Sequence, residues 1–136
     1  MRRGLQMLAG AGLLTMLVFS ASASADAVGS TAMLRAAATT VITAELARDG
    51  ATACSKLYAP LAATVDGRTC AQRWDARSAR LLSKPDGAAR LRADLRAVAT
   101  AAVTYDGLYA TIALPHALLG GKSRFYWTAE CWMLMN

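Results

Sequence analysis

The most regular pattern of apolar and polar positions lies between Ala97 and Pro115, where side chains alternate along two short runs. Both runs are rich in β-branched and aromatic residues, and they flank the pair Asp106-Gly107. That pair can adopt φ > 0 at both central positions of a tight turn, so the pattern predicts a β-hairpin. Because an isolated hairpin is only marginally stable, we expect further strands or a helical layer against one of its faces.

Upstream of the hairpin, apolar residues recur every three or four positions, which is typical of amphipathic helices. Ser30 precedes the first of these helices, and Asp49-Gly50 is expected to end it. Thr69 and Gln72 form a capping box at the start of the third helix. The predicted helices run from Thr31 to Arg48, from a cap at Thr52 to about Ala59, from Cys70 to Ser83, and from Ala88 to Leu95.

Two more alternating runs follow the hairpin and an irregular connection. They predict strands from Ser123 to Thr128 and from Cys131 to Met135. The chain order is therefore three or four helices and then a four-stranded antiparallel meander. We predict an α+β domain whose helices pack on one face of the sheet. A strongly curved sheet would let the helices close it into a cone around a cavity.

The first 25 residues have the pattern of a cleavable signal peptide. Arg2 and Arg3 precede an apolar run at 7–19, and Ala-Ser-Ala at 23–25 fits a cleavage site before Asp26. The apolar run of about thirteen residues is shorter than the roughly twenty that cross a membrane, which disfavours an uncleaved anchor. We therefore predict a signal peptide at 1–25 and a single secreted or extracytoplasmic domain at 26–136. That domain keeps 13 of the 15 basic residues against 9 acidic ones, a formal charge of +4.

Three cysteines lie in the predicted mature domain. In an exported domain of this size, Cys54 and Cys70 at neighbouring helix positions are expected to form a disulfide. The closed loop of about fifteen residues would contribute on the order of 3 kcal/mol. Cys131 is left either as a buried thiol beside Trp132, which is favoured, or as an intermolecular bridge. Three cysteines and one histidine predict no metal site.

A basic stripe is predicted on one side of the third helix. Its four members recur at helical spacing: Arg73, Arg77, Arg80 and Lys84. The functional hypothesis is an electrostatic surface for anionic lipid, a cell-wall polymer or an acidic protein partner. The alternative, a solvated helix face, is the commoner fate of such stripes. The mild net charge and the lack of interleaved aromatic residues argue against specific nucleic-acid binding.

These features together resemble small secreted actinobacterial proteins of the NTF2-like superfamily. The resemblance rests on the exported leader, a cysteine in a short helix, Gly-Arg-Thr-Cys at 67–70, the alternating run at 101–111 and Trp132 in the final strand. It implies a cone-shaped α+β fold, which in some relatives holds a hydrophobic ligand or an isomerase, dehydratase or cyclase site. The chain departs from the pattern in its last turn, which lacks a Gly/Asp pair, and in the extra thiol of Cys131.

A cone would provide a cavity for a small apolar ligand outside the cytoplasm. The candidate lining residues are the aromatic side chains of the strands: Tyr105, Tyr109, Phe125 and Trp127. In the alternative interpretation these rings simply fill the core.

Candidate catalytic residues are few. His116 has no acid or nucleophile beside it in a known motif, and Ser123 has no nucleophile-elbow setting. The isomerase chemistry of the superfamily would suggest Tyr58, Asp75 or Tyr105, but none matches a motif, so no catalytic residue and no cofactor is predicted. The sequence favours an exported, non-catalytic ligand-binding or envelope-interaction module. A small isomerase- or dehydratase-type enzyme with a polar group inside the cone is the alternative, and a homodimer stays open.

Overall fold

The computed structural model describes residues 29–57, 68–120 and 123–135. The predicted signal peptide, Tyr58 and the predicted helix end at Ala59 lie outside these ranges. The helices are α1 Thr31–Leu46, α2 Gly50–Cys54, α3 Cys70–Leu82, α4 Gly87–Ala97 and the one-turn α5 Ala117–Gly120. The strands are β1 Val103–Asp106, β2 Tyr109–Ile112, β3 Arg124–Trp127 and β4 Trp132–Leu134.

The predicted α+β order is confirmed. Within the described ranges four helices precede an open antiparallel sheet, and its strands lie in the order β1-β2-β3-β4. One row of the sheet runs through Tyr105, Ala110, Phe125 and Leu134, which pair in sequence across the four strands. This row faces the helices, because Ala110, Phe125 and Leu134 are buried.

The core lies between α1 and that face of the sheet. Leu34, Val41 and Ile42 of α1 are fully buried, as are Phe125 and Trp132 of the sheet. Large side chains therefore occupy the space between the helical layer and the strands. None of the helices in the described ranges is long and apolar enough to cross a membrane.

The prediction that Asp49-Gly50 ends the first helix is wrong. The helix ends at Leu46, and the residue with left-handed backbone is Arg48, at φ 55°. Asp49 instead caps α2 by accepting the backbone N–H and the hydroxyl of Thr52, so Thr52 is not the cap. The Thr52 hydrogen bonds hold the pKa of Asp49 below its usual 3.8.

Gly50 lets α2 lie close to α3. A Cβ atom at this position would lie 2.3 Å from the Ala71 carbonyl oxygen and 2.6 Å from the Asp75 Oδ1. The Gly50 N–H donates to that same Asp75 oxygen at 2.7 Å. Glycine is therefore required here for close packing, and its left-handed freedom is not used.

The predicted start of the first strand is also wrong. The α4 helix continues to Ala97, with a further turn before β1 begins at Val103. The Arg35 guanidinium donates to the carbonyl oxygens of Val98 and Ala101, which satisfies acceptors at the helix C-cap and in the turn that follows it. This tertiary contact overrides the strand propensity of residues 98–102.

The hairpin turn is displaced by one residue from its predicted position. Asp106 pairs with Tyr109, so the two loop residues are Gly107 and Leu108. Gly107 has φ +56° whereas Leu108 has no positive φ, which is the pattern of a type II′ turn with glycine at its first central position. The capping box of Thr69 and Gln72 is confirmed.

The disulfide between Cys54 and Cys70 is confirmed, with a Cα–Cα distance of 6.1 Å. It joins the end of α2 to the start of α3, beside the close contact at Gly50. A disulfide in a chain of this size fits an extracytoplasmic location. Cys131 is a half-buried free thiol.

We predict that replacing both bridged cysteines, Cys54→Ala with Cys70→Ala, lowers the free energy of unfolding by about 3 kcal/mol, because the unfolded chain regains its loop freedom. Urea unfolding under non-reducing conditions measures the change. Cys131→Ser serves as the control, since it removes a thiol without opening a loop and should cost less than about 1 kcal/mol. An equal loss in both variants would contradict the assignment of a stabilising bridge.

Candidate functional site

The four aromatic residues predicted to line a pocket do not face one common space. Phe125 is fully buried in the core, and Trp127 on the same face packs against Trp132 with ring centroids 5.3 Å apart. Tyr105 is 44% exposed at the sheet edge. Tyr109 lies on the opposite face of the sheet, against the ring of Tyr126 and beneath the Arg124 guanidinium.

The predicted basic stripe is divided between solvent and interior. Arg80 and Lys84 are exposed and Arg73 is half-buried. Arg77 turns inward, where its Nε donates to the Glu45 Oε1 at 3.1 Å and its Nη2 donates to the Leu118 carbonyl oxygen at 2.8 Å. The four residues therefore do not form one continuous charged surface.

Glu45 is a fully buried carboxylate that the sequence reasoning missed. Its Oε1 accepts from Arg77, and its Oε2 has no hydrogen-bond partner among the described residues. Burial raises the pKa of Glu45 above its usual 4.5, against the opposing effect of Arg77; nearby Asp94 raises it further. The group therefore holds a proton more readily than an exposed glutamate.

Asp94 is the second buried carboxylate that was missed. Its Oδ1 accepts the backbone N–H of His116 at 2.7 Å, and its Oδ2 accepts that of Leu118 at 2.9 Å. Between these bonds the chain contains two non-glycine residues with left-handed backbone, Ala117 at φ 45° and Leu118 at φ 55°. Such residues cost on the order of 1–3 kcal/mol each, so strong partners are needed to hold them.

A sequence signal for both carboxylates exists in hindsight. Glu45 follows Val41 and Ile42 at helical spacing, on the buried face of α1. Asp94 lies three residues after Leu91 on the buried face of α4. An acidic residue at an apolar position of a helix stripe must find hydrogen bonds inside the protein, which makes it a candidate for a structural or functional role.

The segment that Asp94 holds forms one wall of a groove of about 440 Å³. The opposite wall is the turn between α3 and α4. The groove is lined by Leu81, Lys84, Asp86, Gly87, Arg90, Pro115, His116 and Ala117. Its volume is within the range of small-molecule sites.

The charges at the groove are predominantly basic. Lys84 and Arg90 line it with a single carboxylate, Asp86, whose Oδ2 pairs with the Arg90 Nε at 3.1 Å, and the His116 imidazole adds a polar ring. Asp86 precedes α4, but its side chain does not accept a hydrogen bond from the first turn of that helix. The helices α1, α2 and α3 do have such side-chain caps, from Ser30, Asp49 and Thr69 respectively. The site therefore combines cationic groups with apolar walls.

The residues considered for catalysis lie apart. Asp75 accepts the Gly50 N–H at the α2–α3 contact, the Tyr105 hydroxyl shares a hydrogen bond with Thr31, and Ser123 is buried. Of the candidates within the described ranges, His116 alone lines the groove. Within the described ranges no three His, Cys, Asp or Glu side chains are grouped so that they could hold a metal ion.

Comparisons with known proteins provide no relative from which a function could be transferred. The chain has no significant match among models of protein families, curated proteins or solved structures.

We predict a pH-dependent difference between the wild type and Glu45→Gln. Because the folded-state pKa of Glu45 is raised, the folded wild type keeps a proton where the unfolded chain has lost it. Its free energy of unfolding therefore falls, relative to that of the variant, as pH rises from 4.5 through the folded pKa. Urea unfolding across this pH range measures both proteins, and a constant or rising difference would contradict the assignment.

We predict that Asp94→Ala lowers the free energy of unfolding by about 2–6 kcal/mol, because the backbone N–H groups of His116 and Leu118 both lose their acceptor, at about 1–3 kcal/mol each. Asp94→Asn keeps one acceptor oxygen and should lose less. Glu130→Ala, at an exposed position, is the control and should change stability by less than about 0.5 kcal/mol. Similar losses of unfolding free energy for Asp94→Ala and Glu130→Ala would show that the hydrogen bonds of Asp94 do not stabilise the fold.

Proposed function

We propose that this chain is an exported, non-catalytic binding domain that holds a small amphiphilic anion in the groove between the α3–α4 turn and residues 115–117. The observation that carries the proposal is the lining of the groove. Two cationic side chains, the His116 imidazole and one carboxylate stand beside the apolar side chains of Leu81, Pro115 and Ala117. A phosphate or carboxylate group attached to a short apolar chain matches that combination.

The charge balance favours an anion. Lys84 and Arg90 come from the turn and the first part of α4, and His116 approaches from the opposite wall. A ligand between them can accept hydrogen bonds from two sides, and bonds to charged donors are the stronger ones. Asp86 shares the Arg90 guanidinium, which leaves other guanidinium N–H groups to donate elsewhere.

The wall at residues 115–117 is fixed in advance. The carboxylate of Asp94 holds the N–H groups of His116 and Leu118, and Arg77 holds the Leu118 carbonyl. A preformed wall reduces the ordering cost of binding. Non-glycine residues with left-handed backbone, such as Ala117 and Leu118, tend to occur at functional sites. Their presence further supports a role for this segment.

Export is supported by the leader pattern at 1–25 together with the disulfide. The helices-then-sheet order supports an NTF2-like relationship, which we propose as the origin of the domain. In this proposal the ligand lies in the groove beside α4, because large side chains fill the space between α1 and the sheet. The basic stripe of α3 suggested an anionic partner. In this proposal the anion contacts Lys84, which is the residue of that stripe that lines the groove.

The proposal is tested by titrating ¹⁵N-labelled protein with hexyl phosphate and, separately, with neutral hexanol. We expect hexyl phosphate to shift the amide signals of residues 84–90 and 115–118. Hexanol should bind more weakly, because it lacks the charge. Lys84→Gln combined with Arg90→Gln should weaken hexyl phosphate binding by about tenfold to a hundredfold, the effect of losing one or two charge-assisted hydrogen bonds.

The matched control is Arg92→Gln combined with Arg96→Gln. It removes the same charge from exposed positions of the same helix that do not line the groove. At physiological salt such distant charges are largely screened, so affinity should be nearly unchanged. Equal losses in the two double variants, or the absence of localised shifts in the wild type, would refute the groove as the site.

A further inference from the structure

One edge of the sheet is open. The sheet ends at two strands, β1 and β4. The outer edge of β4 is closed, because the Leu134 N–H donates to the Lys56 carbonyl oxygen at 2.6 Å. No described strand or bridge pairs with the outer edge of β1, whose residues 104–106 are exposed. The strand β1 also lacks the lysine or proline that often blocks pairing at a sheet edge, so it can accept another strand.

The register of the hairpin identifies the backbone groups that face the open edge. The Ala113 N–H donates to the Ala102 carbonyl oxygen at 2.9 Å, which continues the pairing of β1 with β2 by one residue. Because hydrogen-bonded and non-hydrogen-bonded pairs alternate along an antiparallel ladder, the even-numbered residues of β1 bond to β2. The N–H and C=O groups of Val103 and Tyr105 therefore point outward, away from β2.

We propose that β1 pairs with β1 of a second copy of this chain, so that two sheets join edge to edge in a two-fold symmetric dimer. An antiparallel register centred on Thr104 places Val103 of each copy opposite Tyr105 of the other. All the outward backbone groups of Val103 and Tyr105 then exchange hydrogen bonds across the joint, and the two Thr104 side chains face each other. Pairs of a β-branched with an aromatic residue, and pairs of threonines, stabilise antiparallel sheets.

The charged groups beside the open edge fit the same register. The Arg35 guanidinium donates to the Ala101 carbonyl oxygen at 3.0 Å, just before β1 begins. Asp106, at the other end of β1, is exposed, and no described residue forms a salt bridge with it. In the proposed register Asp106 of one copy lies opposite Ala102 of the other, next to that Arg35 guanidinium. Opposite charges therefore meet at both ends of the joint, and the two Asp106 carboxylates do not face each other.

Exposed apolar side chains lie along the same edge. The described chain has three large exposed apolar residues, and two of them, Tyr105 and Leu108, belong to β1 and to the turn after it. The third is Met33, in the first turn of α1, where Thr31 shares a hydrogen bond with the Tyr105 hydroxyl. Clustered exposed apolar side chains mark protein-interaction surfaces. None of these residues lines the groove, so the dimer does not depend on the function proposed for the groove.

Sedimentation velocity of the disulfide-intact protein over a range of concentrations tests the dimer. The wild type should shift from monomer to dimer as the concentration rises. Thr104→Lys should raise the dimer Kd by at least about tenfold, because it places two ammonium groups directly opposite each other at the two-fold axis.

Thr111→Lys is the matched control. Thr111 pairs with Thr104 from β2, is exposed on the same face of the sheet, and receives the same charge. In the dimer the two Thr111 positions lie three strand spacings apart, roughly 14 Å, where salt screens the repulsion, so the Kd should be nearly unchanged. Both substitutions are at exposed positions, so both variants should fold, and thermal unfolding checks this.

A crosslink tests the register in a Cys131→Ser background. Thr104→Cys should give a disulfide-linked dimer with oxidised glutathione, which accepts the two electrons and two protons of the thiol pair. A non-hydrogen-bonded pair has its Cα atoms about 4.5 Å apart, within the range of a disulfide. Thr111→Cys should give no linked dimer, because its two copies are too far apart.

Three results would overturn the proposal. A chain that stays monomeric at every concentration would exclude the dimer. A dimer with the same Kd in Thr104→Lys and Thr111→Lys would place the contact away from the β1 edge. A failure of Thr104→Cys to crosslink, in a chain that still dimerises, would exclude the register centred on Thr104.

Discussion

The candidate groove depends on two hydrogen bonds to one buried carboxylate. Asp94, fully enclosed on α4, accepts the backbone N–H groups of His116 and Leu118. Between these two bonds lie residues whose left-handed backbone is unfavourable for any side chain larger than glycine. The carboxylate therefore compensates for a local conformation that the sequence alone disfavours. Without these two hydrogen bonds, residues 116–118 would not be held in the position that forms a wall of the groove.

The same segment is connected to the rest of the helical layer by Arg77. Its guanidinium joins Glu45 of α1 to the Leu118 carbonyl and lies 5.1 Å from the Trp74 ring. Buried ion pairs contribute little net stability compared with apolar packing, since desolvation offsets their attraction. Their value in this fold is geometric: α1, α3, α4 and the groove wall are held in one arrangement by directional bonds. The position of the groove is thus set by polar contacts inside the helical layer, and the sheet supplies the apolar support.

The features that could be predicted from the sequence are those with local causes. Alternation identified the four strands, the Thr69 hydroxyl and Gln72 amide identified a helix start, and Cys54 and Cys70 were paired correctly from compartment and spacing. The turn was displaced because Gly107 suits two turn types, and cross-strand pairing decides between them. Residues 98–100 form a turn but were assigned to a strand, because the Arg35 contact at Val98 is distant in sequence. The groove could not be predicted, because the hydrogen bonds that hold residues 116–118 come from Asp94 and Arg77, which are distant in sequence. An acidic residue on an apolar helix stripe gives no indication of its partners.

Native-state hydrogen exchange at the amides of His116 and Leu118 tests this account most directly. If the Asp94 carboxylate holds both N–H groups, they should exchange slowly, with opening free energies that approach that of the buried core amides of α4. The amide of Thr100, which donates to the Ala97 carbonyl oxygen in the exposed turn after α4, provides a reference for a hydrogen-bonded amide near solvent. Exchange of His116 and Leu118 at the rate expected for an open surface loop would contradict the account, because the wall of the groove would then not be fixed by Asp94.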